Sequence, residues 1–220
     1  VSCLVTLELT GITVSFNSAP LEWWLSLPII VIYPLLFGWV SYQTATKLAE
    51  HKRRLQVMST RDGMTGVYNR RHWETMLRNE FDNCRRHNRD ATLLIIDIDH
   101  FKSINDTWGH DVGDEAIVAL TRQLQITLRG SDVIGRFGGD EFAVIMSGTS
   151  AESAITAMLR VHEGLNTLRL PNTPQVTLRI SVGVAPLNPQ MSHYREWLKS
   201  ADLALYKAKK AGRNRTEVAA

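Results

Sequence analysis

The sequence predicts an α+β fold, a ferredoxin-like antiparallel sheet flanked by helices, preceded by a partial transmembrane region and a connecting helix. Three observations carry this expectation. From residue 61 onward, helical and strand periodicities alternate in the order αβαββαβα. Gly138-Gly139 separates two short apolar runs, as in a hairpin. Before residue 61 the composition changes, because Leu25 to Tyr42 carries no charge and His51-Lys52-Arg53-Arg54 comes after it.

The expected boundaries are 1–42 for the end of a membrane domain, 43–60 for the connecting helix and 61–220 for the globular domain. Trp23 and Trp24 stand where an interfacial aromatic belt belongs, ahead of the uncharged run. Pro28 and Pro34 interrupt that run, which leaves a buried helix of a soluble domain as the other reading. Val1 to Phe16 has Glu8 as its one charge, and the chain opens without methionine. It reads as the last part of a longer membrane domain, lacking the basic start and small-residue cleavage site of a signal peptide. The basic cluster after the span favours the cytoplasmic side for the carboxyl-terminal domain.

Thr44 to Met58 is free of Gly and Pro and spaces Leu48, Leu55 and Met58 along one stripe. Two copies pairing through that stripe and a single solvated helix are both open readings. Asp62-Gly63 then ends the pattern. The elements expected beyond it are a helix from His72 to Asn88, a strand from Thr92 to Asp99 and a helix from Gly113 to Arg129. A strand pair comes next, Val133 to Phe137 with Phe142 to Met146, and then a helix from Ala151 to Leu168. Val176 to Ala185 reads as a strand and Tyr194 to Ala211 as the last helix. This order gives an antiparallel sheet with its helices on one face.

At 220 residues, 44% apolar and 21% charged, the chain suffices for one ordinary domain plus extra segments and is not disordered. Its 25 basic and 22 acidic residues are too balanced to point to a nucleic-acid partner. Cys3 and Cys84 lie far apart in unlike contexts, so neither a disulfide framework nor a zinc site is expected.

The chemistry concentrates at strand ends. The strand Thr92 to Asp99 carries its acids only at its close, and the tip Gly138-Gly139-Asp140-Glu141 adds two more. In this topology Asp97 adjoins the tip, so carboxylates from separate strands converge and repel unless a divalent cation offsets them. Mg²⁺ or Mn²⁺ prefers such oxygens, whereas a solvated acidic turn is the plain alternative. After Asp99 the chain turns from strand toward helix, which presents free N–H groups to phosphate, with Lys102 adding a point charge. Asn105 and Asp114 supply the amide and carboxylate that read a guanine edge, or else cap helices. Lys209 and Arg213 share one helix face, and suit either the helix dipole or a triphosphate. Arg129-Gly130-Ser131-Asp132 is either a helix stop with a turn or a small anion-and-guanine site.

The segment from Asp62 to Arg215 resembles the GGDEF domain of diguanylate cyclases, which has a palm-type sheet. The resemblance rests on Asp62-Gly63-Met64-Thr65-Gly66-Val67-Tyr68-Asn69-Arg70-Arg71, on Asp97 through Asp106, on Gly109-His110-Asp111-Val112-Gly113-Asp114, on Arg136-Phe137-Gly138-Gly139-Asp140-Glu141-Phe142 and on Ala201-Asp202 through Arg215. Gly63-Met64 departs from the commoner small residue and Leu after Asp62. The amino-terminal fragment resembles the membrane-associated sensor domains of some family members, in particular that of an enterobacterial cyclase linked to cellulose and biofilm control.

The resemblance implies condensation of two GTP into cyclic di-GMP with release of two pyrophosphates, in a homodimer at a bacterial inner membrane with its catalytic domain in the cytoplasm. It implies Asp97, the Ile98 carbonyl and Asp140 as ligands of Mg²⁺ (or Mn²⁺), with Asp140 or Glu141 helping to deprotonate the attacking 3′-hydroxyl. Asn105 and Asp114 match the guanine readers, His110 a substrate contact, Lys102 a transition-state stabiliser, and Lys209 with Arg213 the phosphate clamp. Arg129 and Asp132 match the inhibitory site at which product binds. Two other readings remain: a degenerate domain that binds GTP or cyclic di-GMP, and a nucleotide cyclase or polymerase of related topology using ATP. Retention of Asp97, Asp140 and Glu141 speaks against the first, and Asn105 with Asp114 against the second.

Overall fold

The computed structural model describes residues 4–6, 13–15, 32–48, 60–171, 173 and 175–219. The chain divides into two compact units, Val1–Met58 and Ser59–Ala220. In the first unit, β1 (Leu4–Thr6) pairs antiparallel with β2 (Thr13–Ser15), and α1 is helical over 32–48. α1 exposes Tyr33, Leu35, Phe37, Trp39 and Tyr42. No helix among the described residues is long and apolar enough to cross a membrane. The expected span enters α1 at residue 32, while its start and the stripe positions Leu55 and Met58 lie outside the described residues.

The second unit carries β3 (Tyr68–Asn69), α2 (Arg70–His87), β4 (Ala91–Ile98), α3 (Phe101–Trp108) and α4 (His110–Thr127). It continues with β5 (Val133–Gly138), β6 (Glu141–Ser147), α5 (Ala151–Thr167), β7 (Ile180–Pro186), α6 (Tyr194–Lys210) and β8 (Thr216–Val218). The sheet order is β3-β5-β6-β4-β7-β8. Its four inner strands are antiparallel as expected, but the edge pairs β3/β5 and β7/β8 are parallel, so the sheet is mixed. Both added strands are too short to show a period of two in sequence.

The expectation of helices on one face is corrected, because they cover both. β4 is buried along its whole length, and its alternate residues feed two cores. Leu94, Ile96 and Ile98 pack with Leu120 of α4 and Val161 of α5. Leu93 and Ile95 pack with Leu77 of α2 and Trp197 of α6. Each such fully buried Leu or Ile contributes roughly 1.5–3 kcal/mol of transfer free energy. A strand with two dry faces reads as one continuous apolar run, which hides the second layer. Ends differ as well: β7 begins at Ile180 rather than Val176, and α4 begins at His110 rather than Gly113.

Two close approaches set the helices that carry polar residues. At Gly183 in β7, a Cβ would collide with the carbonyl of Ala201 and the N–H of Leu205, so only glycine lets α6 lie this close to the sheet. At Gly113 in α4, a Cβ would strike the side-chain oxygen of Asn105.

Candidate active site

Asp97 is the last acid inside β4, opposite Glu141 of β6 on one side and Ser181 of β7 on the other. The next residue, Ile98, donates its N–H to the carbonyl of Asp140 at 3.3 Å. Strand pairing thus brings Asp97, Ile98, Asp140 and Glu141 to one end of the sheet. The tip between β5 and β6 is shaped by Arg136, which donates to the Gly139 carbonyl at 2.8 Å and to Asp62 at 3.2 Å. Gly139 has φ 29, and the register shifts between Arg136 and Gly138, a bulge that bends the tip.

Lys209, near the end of α6, reaches Asp97 with its ammonium 2.7 Å from Oδ2. Burial pushes the Asp97 carboxyl up; Lys209 opposes this, and Asp140 and Glu141 push further in the same direction as burial. Asp202 on α6 is likewise raised, first by burial and then by Glu141. The acids are therefore electrostatically coupled, with a cation already standing against one of them. Among the described residues no group of three or more His, Cys, Asp or Glu side chains is placed to hold a metal ion. The reading of three converging carboxylates is thereby narrowed. The oxygens at this sheet end that could hold a divalent ion are those of Asp97, Asp140 and the Ile98 carbonyl, the remainder of its shell coming from nucleotide phosphates and water.

The other expected residues lie on α3, on α4 and in the turn beyond α6. Asn105 lies on α3, and its Oδ1 is buried without a hydrogen-bond partner, an acceptor kept open by the missing side chain of Gly113. Asp114 is exposed one residue further along α4, at the rim of a cleft of about 470 Å³ walled by Val118, Ala119, Leu168, Leu170 and Pro171. Lys102 and His110 are exposed in the first turns of α3 and α4. The sequence shows α3 only as a turn toward helix; in the structure His100 at φ 58 and Gly109 at φ 86 bracket it as a separate element. Arg213 lies beyond α6 in a turn where Gly212, Arg213 and Asn214 all have positive φ.

Arg129 and Asp132 are not part of this cluster. They sit at the opposite end of β5 from the Gly138-Gly139 tip, roughly 15–20 Å away along the strand. The Arg129 N–H donates to Asp132 Oδ2 at 2.9 Å, and the Asp132 N–H returns to the Arg129 carbonyl at 3.0 Å. Asp132 Oδ1 is buried without a partner, and burial raises this carboxyl, against the Arg129 N–H and charge. Both residues line two cavities of about 220 and 230 Å³. Arg160 adds a second guanidinium to the first cavity and Arg61 to the other.

Sequence reasoning misses Asp99. Its Oδ1 accepts from the Ser181 hydroxyl at 2.7 Å and its Oδ2 from the Asn214 N–H at 2.8 Å, partners far away in the chain. An acid at a strand end is the visible signal, but nothing local separates Asp99 from Asp97.

Among curated proteins, the diguanylate cyclase DosC of Escherichia coli K12 is 35% identical over 159 residues, 71% of this chain and 34% of that protein. The chain thus spans about a third of that relative's length. Among solved structures, the GGDEF domain of DgcB from Caulobacter crescentus, in complex with c-di-GMP, superposes with TM-score 0.70 at 30% identity over 73% of this chain and 96% of that one. The diguanylate cyclase SiaD from Pseudomonas aeruginosa, in complex with its activator SiaC, gives TM-score 0.69 at 32% identity over 90% and 78%. Residues 59–215 match the family described as diguanylate cyclase, GGDEF domain, and with the strand-end acids, the Gly-Gly tip and the mixed sheet already in place, the chain belongs to that family.

Proposed function

We propose that this chain carries the catalytic module of a diguanylate cyclase, joining two GTP molecules into cyclic di-GMP with loss of two pyrophosphates. The observation that carries the reading is the meeting of Asp97, Asp140 and Glu141 at one sheet end through the β4/β6 pairing, with Lys209 held 2.7 Å from Asp97. A divalent cation, Mg²⁺ or Mn²⁺, bound by Asp97, Asp140 and the Ile98 carbonyl would supply charge neutralisation for the phosphates.

The chain's own residues do the rest. Asn105, with its open acceptor, and Asp114 read the amino and N–H edge of guanine, which favours GTP over ATP. Lys209 and Arg213 hold the phosphates; Lys102, exposed in the first turn of α3, stabilises the transition state, and His110, exposed in the first turn of α4, contacts the substrate. Asp140 or Glu141 takes the proton of the 3′-hydroxyl, whose oxygen then bonds to the α-phosphorus of the other nucleotide as the bond to pyrophosphate breaks. Each domain holds one GTP, so two copies must face one another, and positioning provides much of the acceleration. Arg129 and Asp132 with their two cavities form the site where cyclic di-GMP binds and restrains the enzyme. Support for a cytoplasmic domain tethered at a bacterial inner membrane comes from the uncharged run Leu25 to Tyr42 and the basic residues after it.

The test is Asp140→Ala in the full chain, incubated with GTP and Mg²⁺ and followed by mass spectrometry. Loss of cyclic di-GMP with an unchanged thermal melt is expected. Product formed at the unaltered rate removes Asp140 from the chemistry, and consumption of ATP in preference to GTP sinks the guanine assignment.

A further inference from the structure

We propose that Asp99 is a positioning residue for the phosphate clamp, and the proposal rests on reading Lys209 and Arg213 as that clamp. Asp97 inside β4 and Asp99 one residue beyond its end divide the work. Asp97 faces Lys209, while Asp99, only 5% exposed, faces the turn beyond α6. Its two carboxylate oxygens are each engaged, one by the Ser181 hydroxyl and the other by the N–H of Asn214. That N–H belongs to the peptide joining Arg213 to Asn214, so Asp99 fixes the peptide plane that leaves Arg213.

The turn needs such an anchor. Gly212, Arg213 and Asn214 have φ of 112, 61 and 46, and two of the three are ordinary L residues in a sparsely populated region. Such a backbone persists where its surroundings over-determine it. Three other contacts help to hold it. The Arg213 N–H donates to the Ala208 carbonyl, the Val182 N–H to the Arg215 carbonyl, and His162 meets the Thr216 hydroxyl at 3.3 Å. Of these bonds, the one from Asp99 ties the turn directly to the strand that carries Asp97. It sets the register between the clamp and the acid end of β4. A charged acceptor forms the stronger class of hydrogen bond, which suits a bond that must hold a strained peptide.

The experiment uses the full chain with Mg²⁺ and compares two probes by calorimetry: GMP, and a GTP analogue with a methylene between its α and β phosphorus atoms. Asp99→Ala should weaken the analogue about tenfold and leave GMP within about twofold. The double variant Asp99→Ala/Arg213→Ala should bind the analogue no worse than Arg213→Ala alone, because both changes act through the same side chain. Should Asp99→Ala fail to fold, Asp99→Asn keeps the shape and one acceptor oxygen and should weaken the analogue about threefold with GMP unchanged. Equal losses for both probes, additive losses in the double variant, or unaltered analogue binding overturns the proposal. If the unaltered chain binds the analogue no better than GMP, the clamp reading itself has failed, a result distinct from those three.

Discussion

Asn105 owes its open acceptor to a single missing methyl group. Its Oδ1 is buried and unpartnered in a fold whose polar groups are otherwise mostly bonded, and the space it occupies exists because residue 113 is glycine. A buried acceptor of this kind has a desolvation cost that a ligand N–H can recover. Gly113→Ala should therefore rotate Asn105 away and raise KM for GTP about tenfold, about 1.4 kcal/mol, with little change in kcat. Steady-state kinetics on the variant checks this, and an unchanged KM removes Asn105 from guanine recognition. The same scale explains what the sequence hides. Asp97 and Asp99 carry the same signal, an acid after an apolar run, and only contacts 82 and 115 residues away distinguish the pair. Asp140 and Glu141 stand out at a Gly-Gly turn, which is local chemistry, whereas Asn105 and Asp114 lie within α3 and α4 and read equally as helix caps until the family pattern is considered.

At the scale of elements, α6 is the part whose placement matters most, since it brings Lys209 to Asp97 and leads into the Arg213 turn. Gly183 lets it approach β7, so Gly183→Ala should destabilise the domain by about 1–3 kcal/mol through overpacking against backbone that cannot yield. Urea unfolding measures that loss directly. α6 is legible from its apolar stripe, whereas the helices on the two faces are not assignable, because every residue of β4 is buried and both faces look alike. β3 and β8 escape for a different reason: two and three residues paired in parallel to distant strands leave no local pattern. The junction before β3 makes a pH prediction. Burial alone would raise Asp62, but the Thr65 hydroxyl and N–H and the Arg136 guanidinium together hold it below its ordinary value of 3.8. A depressed carboxyl stabilises the fold above its unfolded value, and that stability disappears as pH falls through the folded one. Unfolding free energy measured from about pH 5 down to about pH 2.5 should fall less steeply in Asp62→Asn than in the unaltered chain. Parallel curves would show that the Thr65 and Arg136 contacts to Asp62 together contribute nothing.

For the whole molecule, the decisive quantity in the proposed reaction is how often two catalytic units meet. The condensation proposed for this chain needs a 3′-hydroxyl from one bound GTP and an α-phosphate from the other, so an isolated unit can bind substrate without turning it over. The unit Ser59–Ala220 has its own two-sided core and should fold alone. The unit Val1–Met58 contains a helix whose Ile32, Tyr33, Leu36, Phe37 and Trp39 are all at least half exposed, a surface that water disfavours and a second copy or a lipid phase would cover. Joining two catalytic units through such a segment raises their effective concentration without any new contact at the active site. Residues 59–220 alone should therefore show a rate per molecule that rises in proportion to protein concentration while dimers are scarce. The full chain should reach its plateau at a concentration at least about tenfold lower, the difference a modest effective-concentration gain provides. Activity assayed across a dilution series, with dimer fraction followed by light scattering, separates the outcomes. Coincident curves for the two chains would assign dimerisation to the catalytic unit itself and leave the amino-terminal unit without a part in assembly.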